Sequence, residues 1–204
     1  MTHNDGTNDM TTPVRILAFA GSLRRDSFNK KLVKLAMRSA ERAGAEVTYL
    51  DLKDYPVPVY DGDIEAEHGF SDNVMTLKEM FRAHHGLLIS APEYNSSVSG
   101  ALKNVIDWVS RPEKGHAPLD CFDGKVAGLI SAAAGGLGGM RMLPMLRGIL
   151  QNIKVIVVPA MIGIPAAHEA FNDDGTLKDA KKQAAVEAVA ADVAGLLMKI
   201  HAAD

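Results

Sequence analysis

Short apolar runs alternate with amphipathic stretches along almost the whole chain. Runs such as VRILAFA at Val14–Ala20 and GLLIS at Gly86–Ser90 are nearly free of polar residues, which is typical of strands buried on both faces of a parallel sheet. Between them, Phe28–Ala43 places Leu32 and Ala36 on one side, as a helix packed against a sheet does. This alternation predicts an α/β protein with a doubly wound parallel sheet and right-handed crossovers.

The same pattern gives approximate bounds for the elements. The predicted strands are Val14–Ala20, Glu46–Leu52, Gly86–Ser90, Lys125–Ser131 and Lys154–Val158. The predicted helices are Phe28–Ala43, Asp72–His84, Gly100–Val109, Leu137–Leu150 and Lys178–His201. Asp54–Phe70 is rich in proline and glycine and is predicted as a long irregular loop, and Pro144 is expected to kink its helix or shift its start.

Length, charge and cysteine content narrow the classes of protein that remain. A chain of 204 residues fits one domain, here residues 14–204, preceded by a polar segment at residues 1–13 that we expect to be a flexible arm. A net charge of −3 argues against nucleic acid and against a polybasic membrane surface as partners. A single cysteine, Cys121, excludes an internal disulfide framework. With neither a secretory signal nor an apolar run of about 18 residues, the expected compartment is the cytoplasm.

In doubly wound sheets, ligands bind beyond the carboxyl ends of the strands, so three loops are of interest. The first is GSLRRDSFN at Gly21–Asn29, which leaves a strand and enters a helix N-terminus, where unpaired N–H groups favour a phosphate. Ser22, Ser27 and Asn29 add neutral donors, and Arg24 adds a planar cation. The alternative is that Ser27 only caps the helix and Arg24 is a solvated surface residue.

The second loop follows the third strand and begins APEYNSS at Ala91. Pro92 stiffens the strand end, and the polar residues Glu93 and Asn95 flank the aromatic Tyr94. Such a segment suits a planar heteroaromatic ligand, although a plain surface turn would use the same residues.

The third loop is SAAAGGLGG at Ser131–Gly139, which we call the glycine loop. Its glycines allow the backbone to approach a flat ring closely. The alternative is that this loop is only a flexible turn before a helix, because such turns have the same composition. Neither the seven histidines nor Cys121 has the spacing of a metal site, so none is predicted, and no G-x-S-x-G elbow supports a hydrolase.

The two segments GSLRRDSFN (Gly21–Asn29) and PEYNSSVSGALKNVIDWVSRP (Pro92–Pro112) resemble the signature loops of the NADPH-dependent FMN reductases, the flavodoxin-like group that includes chromate and quinone reductases. The resemblance extends from Val14 to about His201. It implies a five-stranded sheet of order 2-1-3-4-5, bound FMN, and NADPH or NADH as co-substrate. One departure is Ser99, where the family usually has proline before Gly100.

The resemblance also assigns roles to individual positions. The residues that it places around FMN are Ser22, Arg24, Ser27 and Asn29 at the phosphate, Pro92, Glu93, Tyr94 and Asn95 along the isoalloxazine ring, and Ser131, Gly135 and Gly136 approaching the ring from the glycine loop. No side chain is assigned as a catalytic residue, because the flavin carries the chemistry.

The implied function is ping-pong transfer of a hydride from NAD(P)H through FMN to quinones or other small oxidants such as chromate, azo or nitro compounds. Two alternatives stay open: a flavin reductase that supplies reduced FMN to a monooxygenase, and a flavodoxin-type electron carrier. The family also implies a homodimer or homotetramer, in which the Tyr55–Phe70 loop and the Trp108–Pro112 segment are candidates to cover a neighbour's site.

Overall fold

Five parallel strands form the central sheet of the computed structural model, which describes residues 13–202. The strands are β1 (Arg15–Ala20), β2 (Glu46–Leu50), β3 (Gly86–Ser90), β6 (Val126–Ala132) and β7 (Ile156–Ile164). They lie in the order β2-β1-β3-β6-β7, so counted along the main sheet alone the order is 2-1-3-4-5, as the resemblance implies. The predicted arm at residues 1–13 lies, apart from Pro13, outside the described residues.

Two layers of helices cover the sheet. The helices are α1 (Phe28–Arg42), α2 (Gly62–His68), α3 (Asp72–Ala83), α4 (Gly100–Val109), α5 (Met142–Asn152) and α6 (Ala180–His201). Along β1, Ile16 and Ala18 belong to the core under α1 and α6, whereas Leu17 and Phe19 belong to the core under α3, α4 and α5. Because both faces are buried, β1 has to be apolar throughout, which explains the runs seen in the sequence.

The segment predicted as an irregular loop is partly helical. It contains the helix α2, which Asp61 caps by accepting a hydrogen bond from the Asp63 N–H at 2.8 Å, and a short 3-10 turn at Leu52–Asp54 leads into the segment from the end of the predicted strand. The segment also packs on α4, where the Trp108 indole N–H donates to the Pro58 carbonyl at 2.8 Å. Trp108 is only 1 % exposed, so its side chain packs within its own chain.

Two other bounds differ from the prediction for physical reasons. Helix α5 begins at Met142 and not at Leu137, which places Pro144 in the first turn, where a missing N–H costs least. Strand β7 runs on from Ile156 to Ile164 although it contains Pro159. It is an edge strand with an irregular register between Val157 and Met161, so proline is tolerated there.

Candidate active site

The three loops predicted from the sequence meet at one cavity of about 230 Å³. They follow β1, β3 and β6, which are neighbours in the sheet, so their carboxyl ends lie side by side. The residues that line the cavity are Ser22, Arg24, Ser27, Phe28, Asn29, Pro92, Glu93, Tyr94, Ala132, Ala133 and Ala134. Seven of the eleven residues proposed from the sequence are among them; Asn95, Ser131, Gly135 and Gly136 are not.

The β1–α1 loop places an unpaired cation beside a helix N-terminus. Ser27 caps α1, its hydroxyl accepting from the Asn29 N–H at 3.2 Å, and the Ser22 hydroxyl lies 3.4 Å from the Arg24 N–H. Both serines are buried, whereas Arg24 is exposed. Within residues 13–202 the Arg24 guanidinium forms no ion pair, so its charge is available to an anion at the positive end of α1.

Asn29 joins the three loops through its side-chain amide. Its Oδ1 accepts from the Ser90 hydroxyl at 2.9 Å and from the Ala132 N–H at 2.9 Å, while its Nδ2 donates to the Ala132 carbonyl at 2.8 Å. These bonds leave one Nδ2 hydrogen for a ligand. The main task of Asn29 in this structure is therefore to hold the ends of β3 and β6 against the β1–α1 loop.

After β3 the chain forms a tight hairpin of two short strands, β4 (Glu93–Tyr94) and β5 (Ser97–Val98). Asn95 and Ser96 at its tip have φ values of 51° and 63°, the double positive φ of a type I′ turn. Tyr94 is 49 % exposed beside the cavity, while Asn95 lies beyond it at the tip of the hairpin. The hairpin thus presents an uncovered aromatic ring next to the cavity.

Glu93 has a structural contact that the sequence analysis missed. Its Oε2 accepts from the backbone N–H groups of Arg141 and Met142 at 3.1 and 3.2 Å, which caps the N-terminus of α5 from another loop. Arg141, the residue before α5, provides no side-chain cap of its own. No local motif marks such a long-range cap; the one sequence signal was a helix that begins without Ser, Thr, Asp or Asn.

Ser99, the departure from the family pattern, links the first two loops. Its hydroxyl accepts from the Leu102 N–H at 3.2 Å as the cap of α4, and it donates to the Gly21 carbonyl at 2.5 Å. Gly21 itself packs so tightly that an added Cβ would lie 2.9 Å from a methyl group of Leu102. The hydrogen bond therefore holds the two loops in register.

We expect Ser99→Ala to lower the free energy of unfolding by about 2 kcal/mol, because it removes both a helix cap and a buried hydrogen bond. It should also weaken FMN binding, since the β1–α1 loop loses its contact with α4. Ser71, which caps α3 through Val74 and is not among the residues that line the cavity, is the matched control: Ser71→Ala should cost stability but leave FMN affinity unchanged. Denaturant titration and FMN titration of both variants test this, and equal FMN affinities would contradict it.

In the glycine loop, the glycines that the fold requires are Gly138 and Gly139. Gly138 has a φ of +60°, and an added Cβ would lie 2.6 Å from backbone atoms of Ile164 and Pro165; at Gly139, with φ +91°, it would lie 1.9 Å from the Ser131 hydroxyl. Ser131 is completely buried beneath them and donates to the Ala91 carbonyl at 2.7 Å. Ser131 therefore has no surface to offer a ring, and it supports the loop instead.

Gly135 and Gly136, named from the sequence, lie at the exposed part of the same loop. An added Cβ at either position would meet no atom of residues 13–202 within 4 Å. They leave the approach to the cavity edge open, next to the lining residues Ala133 and Ala134. The backbone of this loop can thus lie against a flat ligand without a side chain in between.

The residues that line the cavity suit a molecule with an anionic end and a flat end. Arg24, Ser22 and the N-terminus of α1 provide the polar part of the lining, and Tyr94 with Ala132–Ala134 provides an aromatic and apolar part. Across residues 13–202, no three His, Cys, Asp or Glu side chains are grouped so that they could hold a metal ion. None of the helices described there is long and apolar enough to span a membrane.

Comparison with known proteins agrees with this arrangement. An NAD(P)H-dependent FMN reductase of Pseudomonas aeruginosa is 34% identical over 180 residues, covering 87% of this chain and 92% of that protein. A quinone reductase of Escherichia coli strain K12 is 36% identical over 150 residues, covering 73% of this chain and 76% of that protein.

A solved structure gives the same result for the fold. The flavoenzyme NAD(P)H:(acceptor) oxidoreductase FerB from Paracoccus denitrificans superposes with a TM-score of 0.74 at 26% identity, covering 91% of this chain and 98% of that one. Residues 14–169 match the family model described as NADPH-dependent FMN reductase. The chain therefore belongs to the NADPH-dependent FMN reductase family, as an oxidoreductase with FMN as cofactor and NAD(P)H as co-substrate.

Proposed function

We propose that this protein reduces quinones with NAD(P)H in a ping-pong reaction, the donor and the acceptor using one shared site in turn. The observation that carries the proposal is the meeting of the three loops at a single cavity with an exposed tyrosine and a free arginine. Chromate, azo and nitro compounds are further candidate oxidants for the same open site. Bound FMN supplies the chemistry, which is hydride acceptance and release.

We assign the phosphate end of FMN to the β1–α1 loop. Arg24 would pair with the phosphate as a fork of parallel donors, and the α1 N-terminus would add its positive end. Ser22 and Ser27 would contribute hydroxyl groups, and Asn29 its remaining amide hydrogen.

We assign the ring end to the β3–α4 and glycine loops. Pro92, Tyr94 and the Gly135–Gly136 backbone would border the ring, and Glu93 and Asn95 would fix the hairpin that holds them. Backbone N–H groups of these loops are the donors available to negative charge that develops during hydride transfer, and one donor of this kind contributes roughly 3 to 4 kcal/mol. We assign no side chain as a catalytic acid or base.

The decisive measurement is a visible spectrum of the purified protein without air, before and after NADPH and then after a quinone. A flavin absorption that bleaches with NADPH and returns with quinone is the expected result. Double-reciprocal plots of the initial rate against NADPH concentration, drawn at several quinone concentrations, distinguish the reaction orders. Parallel lines would support the ping-pong reaction, and intersecting lines would contradict it. A protein that holds no flavin, or whose flavin never bleaches, would overturn the proposal.

A second candidate is a flavin reductase that releases reduced FMN to a monooxygenase. It is favoured by the size of the cavity, about 230 Å³, because ligand sites usually measure about 300–1,000 Å³ and a single chain would enclose only part of FMN. Filtration during turnover separates the two: FMN retained with the protein favours the quinone reductase, and FMN in the filtrate favours the flavin reductase.

The same open cavity agrees with a homodimer or homotetramer, in which a second copy completes the enclosure. Leu137, Met140 and Met145, on the glycine loop and α5, are each about half exposed and form an apolar surface near the cavity. We propose this surface as the contact, and the cytoplasm as the compartment. Light scattering on the purified protein would measure the assembly, and a monomer would contradict it.

A further inference from the structure

A second and larger cavity lies along α1, beside the first. It measures about 540 Å³, and we call it the α1 cavity. Its walls include Phe28, Lys31, Lys34, Arg38, His168 and Phe171, together with the turn at 172–175. Phe28 lines both cavities, so the α1 cavity adjoins the first one at this residue, next to Ser27 and Asn29.

Three cations of α1 project into this cavity without carboxylate partners. Lys31, Lys34 and Arg38 lie on one face of the helix, and the rise of about 1.5 Å per residue spreads them over about 10 Å. Within residues 13–202 none of the three forms an ion pair, whereas the neighbouring Lys30 is bound to Asp51 at 2.6 Å. Without a contact ion pair, their charge is balanced only in part, by the longer-range attraction of Arg38 to Asp174 and of Lys34 to Asp51.

The turn at 172–175 limits which anions the α1 cavity can bind. Asp173 and Asp174 stand on the turn, and the Asp174 carboxylate is held by the Thr176 N–H and hydroxyl at 2.9 and 2.6 Å. These carboxylates would repel a long polyanion such as a nucleic acid or an acidic protein surface. A compact anion on the α1 side would be attracted by three cations and kept away from the acidic wall.

The cavity also has an aromatic wall next to the cations. The rings of Phe28 and Phe171 stack with centroids 6.3 Å apart and planes within 5° of each other. Flat apolar surface beside Lys31 is the combination that a phosphorylated nucleoside uses, because the base packs on the aromatic surface and the phosphate pairs with the cations.

We propose that the α1 cavity binds the 2′-phosphorylated adenosine of NADPH and thereby selects NADPH over NADH. The proposal rests on the function proposed above, since the nicotinamide must reach the first cavity while the rest of the molecule extends past Phe28. NADPH differs from NADH in one phosphate group, so cations that contact only this group affect one dinucleotide and not the other.

The test is a double variant, Lys31→Ala with Arg38→Ala, measured as the FMN-loaded enzyme. We expect the KM for NADPH to rise about 10-fold or more and the KM for NADH to change by less than about twofold, because two charge-assisted contacts are lost only by the 2′-phosphate. The preference for NADPH in the unaltered enzyme should fall with rising ionic strength. Lys199→Ala, at the far end of α6, is the matched control and should leave both KM values unchanged.

A binding measurement separates this proposal from the proposed function. Adenosine 2′,5′-bisphosphate and AMP differ only in the 2′-phosphate, and their affinities by calorimetry need no turnover. The bisphosphate should bind more tightly than AMP to the unaltered protein, and the double variant should abolish the difference. An enzyme that oxidises neither dinucleotide would refute the proposed function, whereas equal affinities, or an unchanged NADPH-to-NADH ratio in the double variant, would refute the α1 assignment.

Discussion

Replacing Gly138 by alanine is expected to lower the free energy of unfolding by about 2 to 5 kcal/mol. A left-handed φ of +60° costs an alanine about 1–2 kcal/mol, and its Cβ would lie 2.6 Å from backbone atoms of Ile164 and Pro165. These atoms end β7 and cannot rotate away as a flexible side chain can. The loop after β6 would have to move away from β7, and with it the wall of the proposed FMN cavity at Ala132–Ala134.

Denaturant unfolding of Gly138→Ala beside Gly136→Ala measures this effect. At Gly136 the added methyl group meets nothing within 4 Å, so its unfolding free energy should stay within about 0.5 kcal/mol of the unaltered protein. If the two variants unfolded at the same denaturant concentration, the tight contact at Gly138 would be disproved. FMN titration of Gly136→Ala additionally tests whether the open part of the loop has to be free of side chains.

Arg24→Ala is expected to weaken FMN binding about 10- to 100-fold, which corresponds to the roughly 1.5–3 kcal/mol of a hydrogen bond to a charged group. Arg24 has no ion pair within residues 13–202, so its removal should not disturb the fold. Arg25→Ala is the matched control and should leave FMN binding unchanged, because Arg25 lines a neighbouring pocket and not the proposed FMN cavity.

Riboflavin sharpens the Arg24 experiment, because it lacks the phosphate. Its affinity, measured by fluorescence titration, should be the same in the unaltered protein and in Arg24→Ala, while the affinity for FMN falls. A variant that keeps stoichiometric FMN through extensive dialysis would show that Arg24 does not bind the phosphate.

Local sequence patterns predicted the elements that have a continuous apolar run or a regular apolar stripe with a cap. The bounds of β3 at Gly86–Ser90 and of α4 at Gly100–Val109 agree with the prediction because an apolar run and a capped amphipathic stretch each define their own ends. The position of the cavity followed from chain order alone, since the carboxyl ends of adjacent parallel strands meet.

Features that depend on distant residues were missed. The cap on α5 comes from Glu93, 49 positions before Met142, and no sequence motif near Met142 indicates it. The rigidity of the glycine loop depends on the ends of β6 and β7, so four glycines within five residues did not reveal which two are constrained. Likewise, α2 forms in a segment that the prolines at positions 56 and 58 marked as irregular.

The amide of Asn29 has a consequence for recombining this protein with its relatives. Because it bonds to Ser90 at the end of β3 and to both backbone groups of Ala132 at the end of β6, a hairpin or glycine loop transplanted without this asparagine would lose these hydrogen bonds. Chimeras that change acceptor preference by exchanging the hairpin or the glycine loop should therefore keep this asparagine. Substitutions that adapt the protein to new substrates are expected chiefly at the tips of these loops, which Asn29 does not contact.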